Sequence, residues 1–255
     1  MTQNSPGAEA PSGIGRPRSW KDIVWGRLSR RLYVLMVSGY AVILVPYTLL
    51  YDPAPYELTQ LAAISTCVGT LMFGIWRRVD LQKFWYGLQM SPSAKLFLAG
   101  GLGAAFVEAE YVAWEHVTGA VGAAASPNLA MDLLETMPWY LLLLLFLGVA
   151  LKHVRPSLFQ LLLLGGVYEL MSDGLLGSLI GGTLASGWLF LLILIPIFTL
   201  VYSPIVVLPA LAVRKSYEEF WAKRPPSGSR LWLLFPCLAI LIYGPFLILF
   251  LLTFH

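Results

Sequence analysis

Charged side chains are scarce in this 255-residue sequence. Asp, Glu, Lys and Arg together make up 12% of the residues, whereas 58% are hydrophobic. So little polar surface could not cover a soluble globule of this length. The composition therefore excludes an ordinary soluble protein and predicts an integral membrane protein, which we expect in the cell (plasma) membrane.

Residues that commonly hold metals or cofactors are also scarce. The two cysteines, Cys67 and Cys237, lie within apolar stretches, where we expect them to act as small hydrophobic residues. Of the three histidines, His116 is the only one beside the acidic residues described below. The sequence has no His-Glu-x-x-His motif, Walker A motif, Gly-rich nucleotide loop or nucleophile elbow. We therefore expect no metal and no cofactor.

Lys and Arg are absent from most of the chain. All 17 fall within four segments, which are 16–31, 77–95, 152–155 and 214–230. Apolar runs separate these segments from connections without Lys or Arg, at residues 51–58, 115–132 and 180–187. Because short cytoplasmic loops of membrane proteins are enriched in Lys and Arg, the alternation predicts both the number and the direction of the crossings. It predicts seven membrane helices, with the amino terminus in the cytoplasm and the carboxyl terminus outside.

The predicted fold is all-α, a polytopic bundle of seven transmembrane helices in a single membrane domain over residues 32–255. Residues 1–31 are polar and then basic, which predicts a flexible cytosolic tail before an uncleaved first helix. We assign the net charge of +3 to the cytoplasmic segments and expect membrane lipids as partners, with no nucleic acid. The spans, each about 20 residues long, are predicted at 32–50, 59–76, 96–114, 133–151, 158–179, 188–213 and 231–252.

Acidic side chains inside the predicted helices are the strongest functional signal. An ionisable group inside a membrane is costly unless it is protonated, paired or hydrated, so each is a candidate for function. The candidate catalytic residues are Glu108, Glu110, Glu135, Glu169 and Asp173. Since every Lys and Arg lies in a cytoplasmic segment, no basic residue is expected beside them. We therefore expect at least some to be protonated near neutral pH and able to donate a proton.

Helical spacing arranges these acids with aromatic residues. Glu169 and Asp173 are four residues apart and share a helix face, while Glu108, Tyr111 and Glu115 form one stripe. These patterns predict a pocket with carboxyl groups and aromatic walls. The candidate substrate-binding residues from these patterns are Tyr111, Trp114, Trp139, Tyr140, Tyr168 and Trp188.

Structural roles remain open for several of the acids. Glu115 and Asp132 are expected to be solvated at helix ends, and Glu135 could instead complement a helix amino terminus. Glu110 could face polar groups of a neighbouring helix. The small residues from Gly100 to Ala105 predict close contact between helices.

Residues 96–213 resemble the membrane core of the emopamil-binding protein family, which includes sterol isomerases. The similarity is carried by Glu135-Thr136, by the basic turn Lys152-His153-Val154-Arg155-Pro156, by Phe159-Gln160-Leu161, and by Gly165 to Tyr168 followed by an acid. The resemblance implies that acidic residues on neighbouring helices move a proton onto and off a carbon–carbon double bond. Under it, Glu135 and Glu169 take acid–base roles, with Glu108 or Glu110 as the acid of the preceding helix. The resemblance also implies an aromatic residue in the last core helix, where Tyr202 is the candidate for substrate binding.

The chain is also similar to the small seven-helix integral-membrane terpene cyclases, with Tyr168-Glu169 at the nearest matching position. Both resemblances imply a carbocation that aromatic faces stabilise. The leading hypothesis is thus an isomerase or cyclase that acts on a hydrophobic isoprenoid, such as a terpene or a sterol-like lipid. A proton- or cation-coupled transporter or channel and a noncatalytic membrane subunit are the alternatives. The substrate and the oligomeric state are left open.

Overall fold

The computed structural model describes residues 31, 55–172, 203–240 and 242. The ordered elements within these residues are all helical, as the sequence predicts. The predicted span 32–50 lies outside the described residues, as do the end of the span 158–179, the first part of the span 188–213 and half of the span 231–252.

The described helices are numbered here in chain order. They are α1 (Pro55–Trp76), α2 (Arg78–Gly87), α3 (Pro92–Thr118), α4 (Leu129–His153), α5 (Leu158–Ser172), α6 (Ser203–Ala212) and α7 (Arg214–Lys223), followed by a 3₁₀ helix (Arg230–Cys237). Two of them, α3 with 27 residues and α4 with 25, are long and apolar enough to cross a membrane.

Capping residues explain why α3 and α4 extend beyond their predicted spans. Ser91 accepts a hydrogen bond from the backbone N–H of Ala94, and Pro92 occupies the first turn of α3. Gly119 ends α3 in the left-handed conformation, with φ of 76°, which glycine adopts without a steric penalty. Asn128 caps α4 by accepting from the N–H groups of the next turn. Each helix therefore begins and ends a few residues outside its apolar run.

α3 and α4 pack against each other as antiparallel neighbours. A Cβ atom added at Gly100 would collide with the side chain of Leu144, which is completely buried. Near one end of the pair, Ser93 donates a hydrogen bond to the carbonyl of Gly148 at 3.3 Å. The close helix contact predicted for the small residues of α3 is thus confirmed at Gly100, since only glycine leaves room for this leucine.

Three of the four basic segments, those at 77–95, 152–155 and 214–230, come together at one end of the described bundle. The segments 77–95 and 214–230 contain the short helices α2 and α7, where the sequence suggested connections. The Lys95 ammonium group donates to the Ser216 hydroxyl at 3.1 Å, and the Arg155 guanidinium lies 5.5 Å from the ring centre of Trp221. We call this the basic end, defined by residues 77–95, 152–155 and 214–230.

The connection between α3 and α4 lies at the opposite end. Thr59, near the start of α1, donates to the carbonyl of Val121 at 2.7 Å and accepts from its N–H at 3.2 Å. The segment 119–128 carries no Lys or Arg. In the part of the chain that the structure describes, the basic segments and the α3–α4 connection without Lys or Arg therefore lie at opposite ends of the bundle.

Candidate functional site

Glu108 lies at the contact between α3 and α4. Its side chain is 2% exposed, and the Tyr140 hydroxyl on α4 donates a hydrogen bond to Glu108 Oε1. The antiparallel packing that aligns Gly100 with Leu144 also aligns these two residues. The Glu108 carboxyl group, which the sequence predicts to lie inside the membrane, is therefore buried between two helices and accepts a hydrogen bond from a phenol.

Asp132, in the first turn of α4, is the second buried carboxyl group of this site. It is completely buried, and its Oδ1 accepts hydrogen bonds from the N–H groups of Ala125 at 2.8 Å and Ser126 at 3.3 Å. Its other oxygen, Oδ2, is also buried and has no hydrogen-bond donor among the described residues. One oxygen of Asp132 thus anchors the α3–α4 connection, while the other is left without a partner.

The carboxyl groups of Glu108 and Asp132 are near enough to interact directly. We call them the carboxyl pair. Two ionised carboxylates in contact at a buried site repel each other and offer no donor to one another. A single proton held between them would supply a donor to Asp132 Oδ2 and remove the repulsion. The geometry therefore suits a pair that holds and transfers a proton.

Among the residues that the structure describes, Lys and Arg are remote from the carboxyl pair. The ion pairs of the described residues join Arg77 to Asp80, and Arg155 and Arg214 to Glu218, all at the basic end. Lys95, the basic residue of α3, precedes Glu108 by 13 residues, or about 20 Å along a helix. Because no described Lys or Arg contacts the carboxyl pair, a proton is the charge that would neutralise it.

The expectation that Asp132 is solvated was wrong. The residue follows a connection rich in Gly and Ala whose N–H groups need acceptors, and folding this connection over the start of α4 buries the carboxylate. The sequence does hold a signal for this role. Residues 119–127 contain many backbone donors, and Ser126 is their single polar side chain.

The remaining acids of α3 lie apart from the carboxyl pair. Glu110 is half-buried and accepts a hydrogen bond from Thr70 on α1 at 3.1 Å, which agrees with the alternative that it faces a neighbouring helix. Glu115 Oε1 accepts from the N–H groups of Ala123 at 2.7 Å and Ala124 at 3.0 Å. Glu115 therefore helps to hold the α3–α4 connection.

The predicted stripe of Glu108, Tyr111 and Glu115 does not converge on one site. The Tyr111 hydroxyl lies 3.1 Å from the sulfur of buried Cys67 on α1, whereas Glu108 contacts α4. Neighbouring helices on different sides of α3 separate the members of the stripe.

Trp139 on α4 and Tyr168 on α5 form an aromatic pair. The rings of Trp139 and Tyr168 are 5.3 Å apart between centroids, and the Tyr168 hydroxyl donates to the carbonyl of Trp139 at 3.3 Å. Trp139 precedes Tyr140, the donor to Glu108. Two of the predicted substrate-binding aromatics are therefore adjacent to each other.

The other predicted site residues are distributed as follows. Trp114 is partly buried near the end of α3, where its carbonyl accepts from Thr118, and Glu135 is partly buried in the second turn of α4. Glu169 belongs to α5, but its side chain is outside the described residues. Asp173, Trp188 and Tyr202 lie outside the described residues entirely.

Comparison of the chain with protein-family models, with curated proteins and with solved structures gives no match. The resemblances noted from sequence stay expectations. What the chain can do chemically is thus inferred from the carboxyl pair and its surroundings.

Proposed function

We propose that this chain is a multi-pass membrane protein that crosses the membrane seven times, with its amino terminus and its basic end in the cytoplasm. Supporting this topology, the two longest described helices have the length and composition of membrane spans. Large apolar side chains on their outer faces are more than half exposed, as lipid-facing residues would be. They include Leu102 and Phe106 on α3 and Leu134 and Leu145 on α4.

Within this membrane domain, the protein acts as an isomerase or cyclase that transfers a proton to a hydrophobic isoprenoid, such as a terpene or a sterol-like lipid. One observation carries the proposal. Glu108 and Asp132 form a buried carboxyl pair with a phenol beside it, an unpartnered oxygen, and no cation among the described residues in contact. A carboxylic acid kept neutral in such a site is a general acid.

The reaction begins when the O–H of the protonated carboxyl group gives its proton to one carbon of a double bond. The π electrons form the new C–H bond, the other carbon becomes a carbocation, and the carboxyl group becomes a carboxylate. Loss of a proton from a neighbouring carbon to the carboxylate then forms a new double bond and restores the acid. In an isomerase this follows directly, and in a cyclase another double bond attacks the cation first.

The other groups have supporting roles in this scheme. Asp132 is the partner that receives or returns the shared proton, and Tyr140 orients Glu108 through its hydrogen bond. The faces of Trp139 and Tyr168 suit stabilisation of a carbocation, because aromatic faces attract cations more strongly in a desolvated site. Glu169, which follows Tyr168, is a further candidate acid from the sequence.

Solvent deuterium tests the proposal across a whole class of lipids at once. The purified protein is incubated in lipid bilayers with polyprenyl hydrocarbons or sterols in D₂O, and the lipids are extracted for mass spectrometry. Each proton transferred from the enzyme to carbon adds deuterium. Wild-type protein should label one lipid class, and Glu108→Gln should lower the rate by about a hundredfold or more, the usual contribution of a general acid.

A matched control is Asp80→Asn, which also turns a carboxylate into an amide but alters an exposed ion pair at the basic end. This variant should label lipids at the wild-type rate. Equal labelling by Glu108→Gln and wild type would remove Glu108 from the mechanism. Absence of labelling by wild type with all these lipids would overturn the isoprenoid assignment.

A proton- or cation-coupled transporter is the second candidate. The observation that favours it is the nearly complete burial of both carboxyl groups, which suits a proton carrier as well as a catalyst. Proteoliposomes with an imposed pH gradient and a pH-sensitive dye inside would distinguish the two. Proton uptake that Glu108→Gln abolishes, without deuterium in any lipid, supports transport.

A further inference from the structure

A cavity of about 400 Å³ opens at the basic end, about 22 Å along α3 from Glu108. Its walls come from three parts of the chain that are distant in sequence. Ser91 and Pro92 precede and begin α3, Lys152 lies in the last turn of α4, and Phe220, Lys223 and Arg224 belong to α7 and the residue after it. The cavity is therefore separate from the carboxyl pair.

The charge of this cavity is positive and unneutralised. Lys152, Lys223 and Arg224 line it, and the lining contains no Asp or Glu. Two other basic residues of the same end, Arg155 and Arg214, are paired with Glu218. The three lining cations form no ion pair with any residue that the structure describes. Three unpaired cations around one cavity repel each other unless an anion lies between them.

The floor of the cavity carries two hydroxyl groups. Ser93 and Tyr217 line it, and their hydroxyl oxygens lie 3.2 Å apart, each within 3.3 Å of the carbonyl of Gly148. Tyr217 is 1% exposed, and burial raises the pKa of its phenol to about 12. The phenol therefore stays uncharged, and nothing on the floor competes with an incoming anion.

We infer that this cavity binds a phosphate group, with Lys152, Lys223 and Arg224 as its cationic ligands. Lysine and arginine are the usual protein partners of phosphate, since each N–H···O⁻ hydrogen bond is strengthened by the charges. The apolar surfaces of Pro92 and Phe220 suit a phosphate that carries an organic substituent. The site makes no use of the carboxyl pair, so it goes beyond the proposed proton transfer.

The phosphate could belong to an anionic lipid or to a soluble molecule. With the basic end at the cytoplasmic surface, the cavity would lie at the depth of lipid headgroups, where anionic lipids are concentrated. The three cations would bind the phosphate group of either source. The experiment therefore tests the lipid and the soluble phosphate in separate titrations.

The full-length protein, purified in a neutral detergent, is titrated with short-chain phosphatidylglycerol in one arm and with inorganic phosphate in the other. Binding is measured by calorimetry at low and at high salt. The test variant is the double substitution Lys152→Gln and Lys223→Gln. The matched control is Lys83→Gln with Lys215→Gln, which removes the same charge from exposed lysines outside the cavity lining.

Binding in either arm should weaken by about tenfold or more in the test variant and stay near wild type in the control. Tight binding of phosphatidylglycerol alone identifies a lipid, and binding of inorganic phosphate alone identifies a soluble source. Equal weakening by both variants would overturn the site, since it would reveal only the general charge of the surface. Absence of binding in both arms would overturn it as well. All lysines replaced are exposed, so an unchanged melting temperature without ligand is expected to verify folding.

Discussion

Replacement of Asp132 by asparagine should stabilise the protein while it slows proton transfer. The new amide would keep the carbonyl oxygen that accepts from the N–H groups of Ala125 and Ser126. Its NH₂ group would stand where the unpartnered Oδ2 now lies, and the carboxyl group of Glu108 is near enough to interact with Asp132. A buried acceptor without a partner would thus become a donor with the Glu108 carboxyl group as its expected acceptor.

The size of the effect follows from that one atom. An unsatisfied buried polar group costs about 1–3 kcal/mol. Under the proposed mechanism, a shared proton offsets part of this cost in the wild type, so the expected gain in the free energy of unfolding is about 1–2 kcal/mol. For a chain of this size, this gain corresponds to a rise of roughly 2–8 °C in Tm. Deuterium labelling of lipids should fall at the same time by about a hundredfold, since the amide cannot receive the proton.

Thermal unfolding in a neutral detergent, followed by circular dichroism, measures the change. Asp132→Ala is the informative comparison, because it removes the acceptor of two backbone N–H groups along with the unpartnered atom and should be less stable than Asp132→Asn. Asp80→Asn should lie within about 0.5 kcal/mol of wild type, as exposed substitutions do. A Tm of Asp132→Asn below that of both wild type and Asp132→Ala would refute the inference that Oδ2 lacks a donor.

Two further predictions concern the packing and the outer connection. Gly100→Ala should destabilise the protein by about 1–3 kcal/mol, because the new methyl group collides with Leu144. Gly103→Ala has open space around its Cβ in the described structure, so it should be neutral or gain up to about 1 kcal/mol from helix propensity. Chemical unfolding of the two variants measures the difference. Glu115→Ala should speed hydrogen exchange at the N–H groups of residues 123 and 124 by about fivefold or more, since both lose their acceptor. Unchanged exchange at these two groups would show that Glu115 does not hold the connection.

The sequence was a good guide to helices and a poor guide to which acids meet. The spans of α3 and α4 follow from apolar runs of membrane length, and their extra turns follow from Ser91, Asn128 and Gly119, whose capping preferences are local. The contact of Glu108 with Tyr140 depends on how far α3 slides along α4. The size of Gly100 against Leu144 helps to set that register, which helical periodicity within either helix does not contain.

Asp132 illustrates the limit most clearly. From sequence, it is an acid beside a polar connection, and solvation is the ordinary outcome for such a residue. Its burial arises from the path of the connection, which folds back so that its own N–H groups satisfy one carboxylate oxygen. Glu110 illustrates the converse, because its depth in the helix suggested catalysis while a threonine on α1 provides it with a partner.

The sequence by itself determined that this chain is helical and rich in apolar residues, and that its Lys and Arg are confined to four segments. Composition and the order of charges along the chain do not depend on how its helices pack, so both follow directly from the sequence. Only the tertiary structure decided that Glu108 and Asp132 are near enough to interact and that Lys152, Lys223 and Arg224 line one cavity. Both groupings join residues from different helices, and their proximity depends on the packing of side chains between those helices.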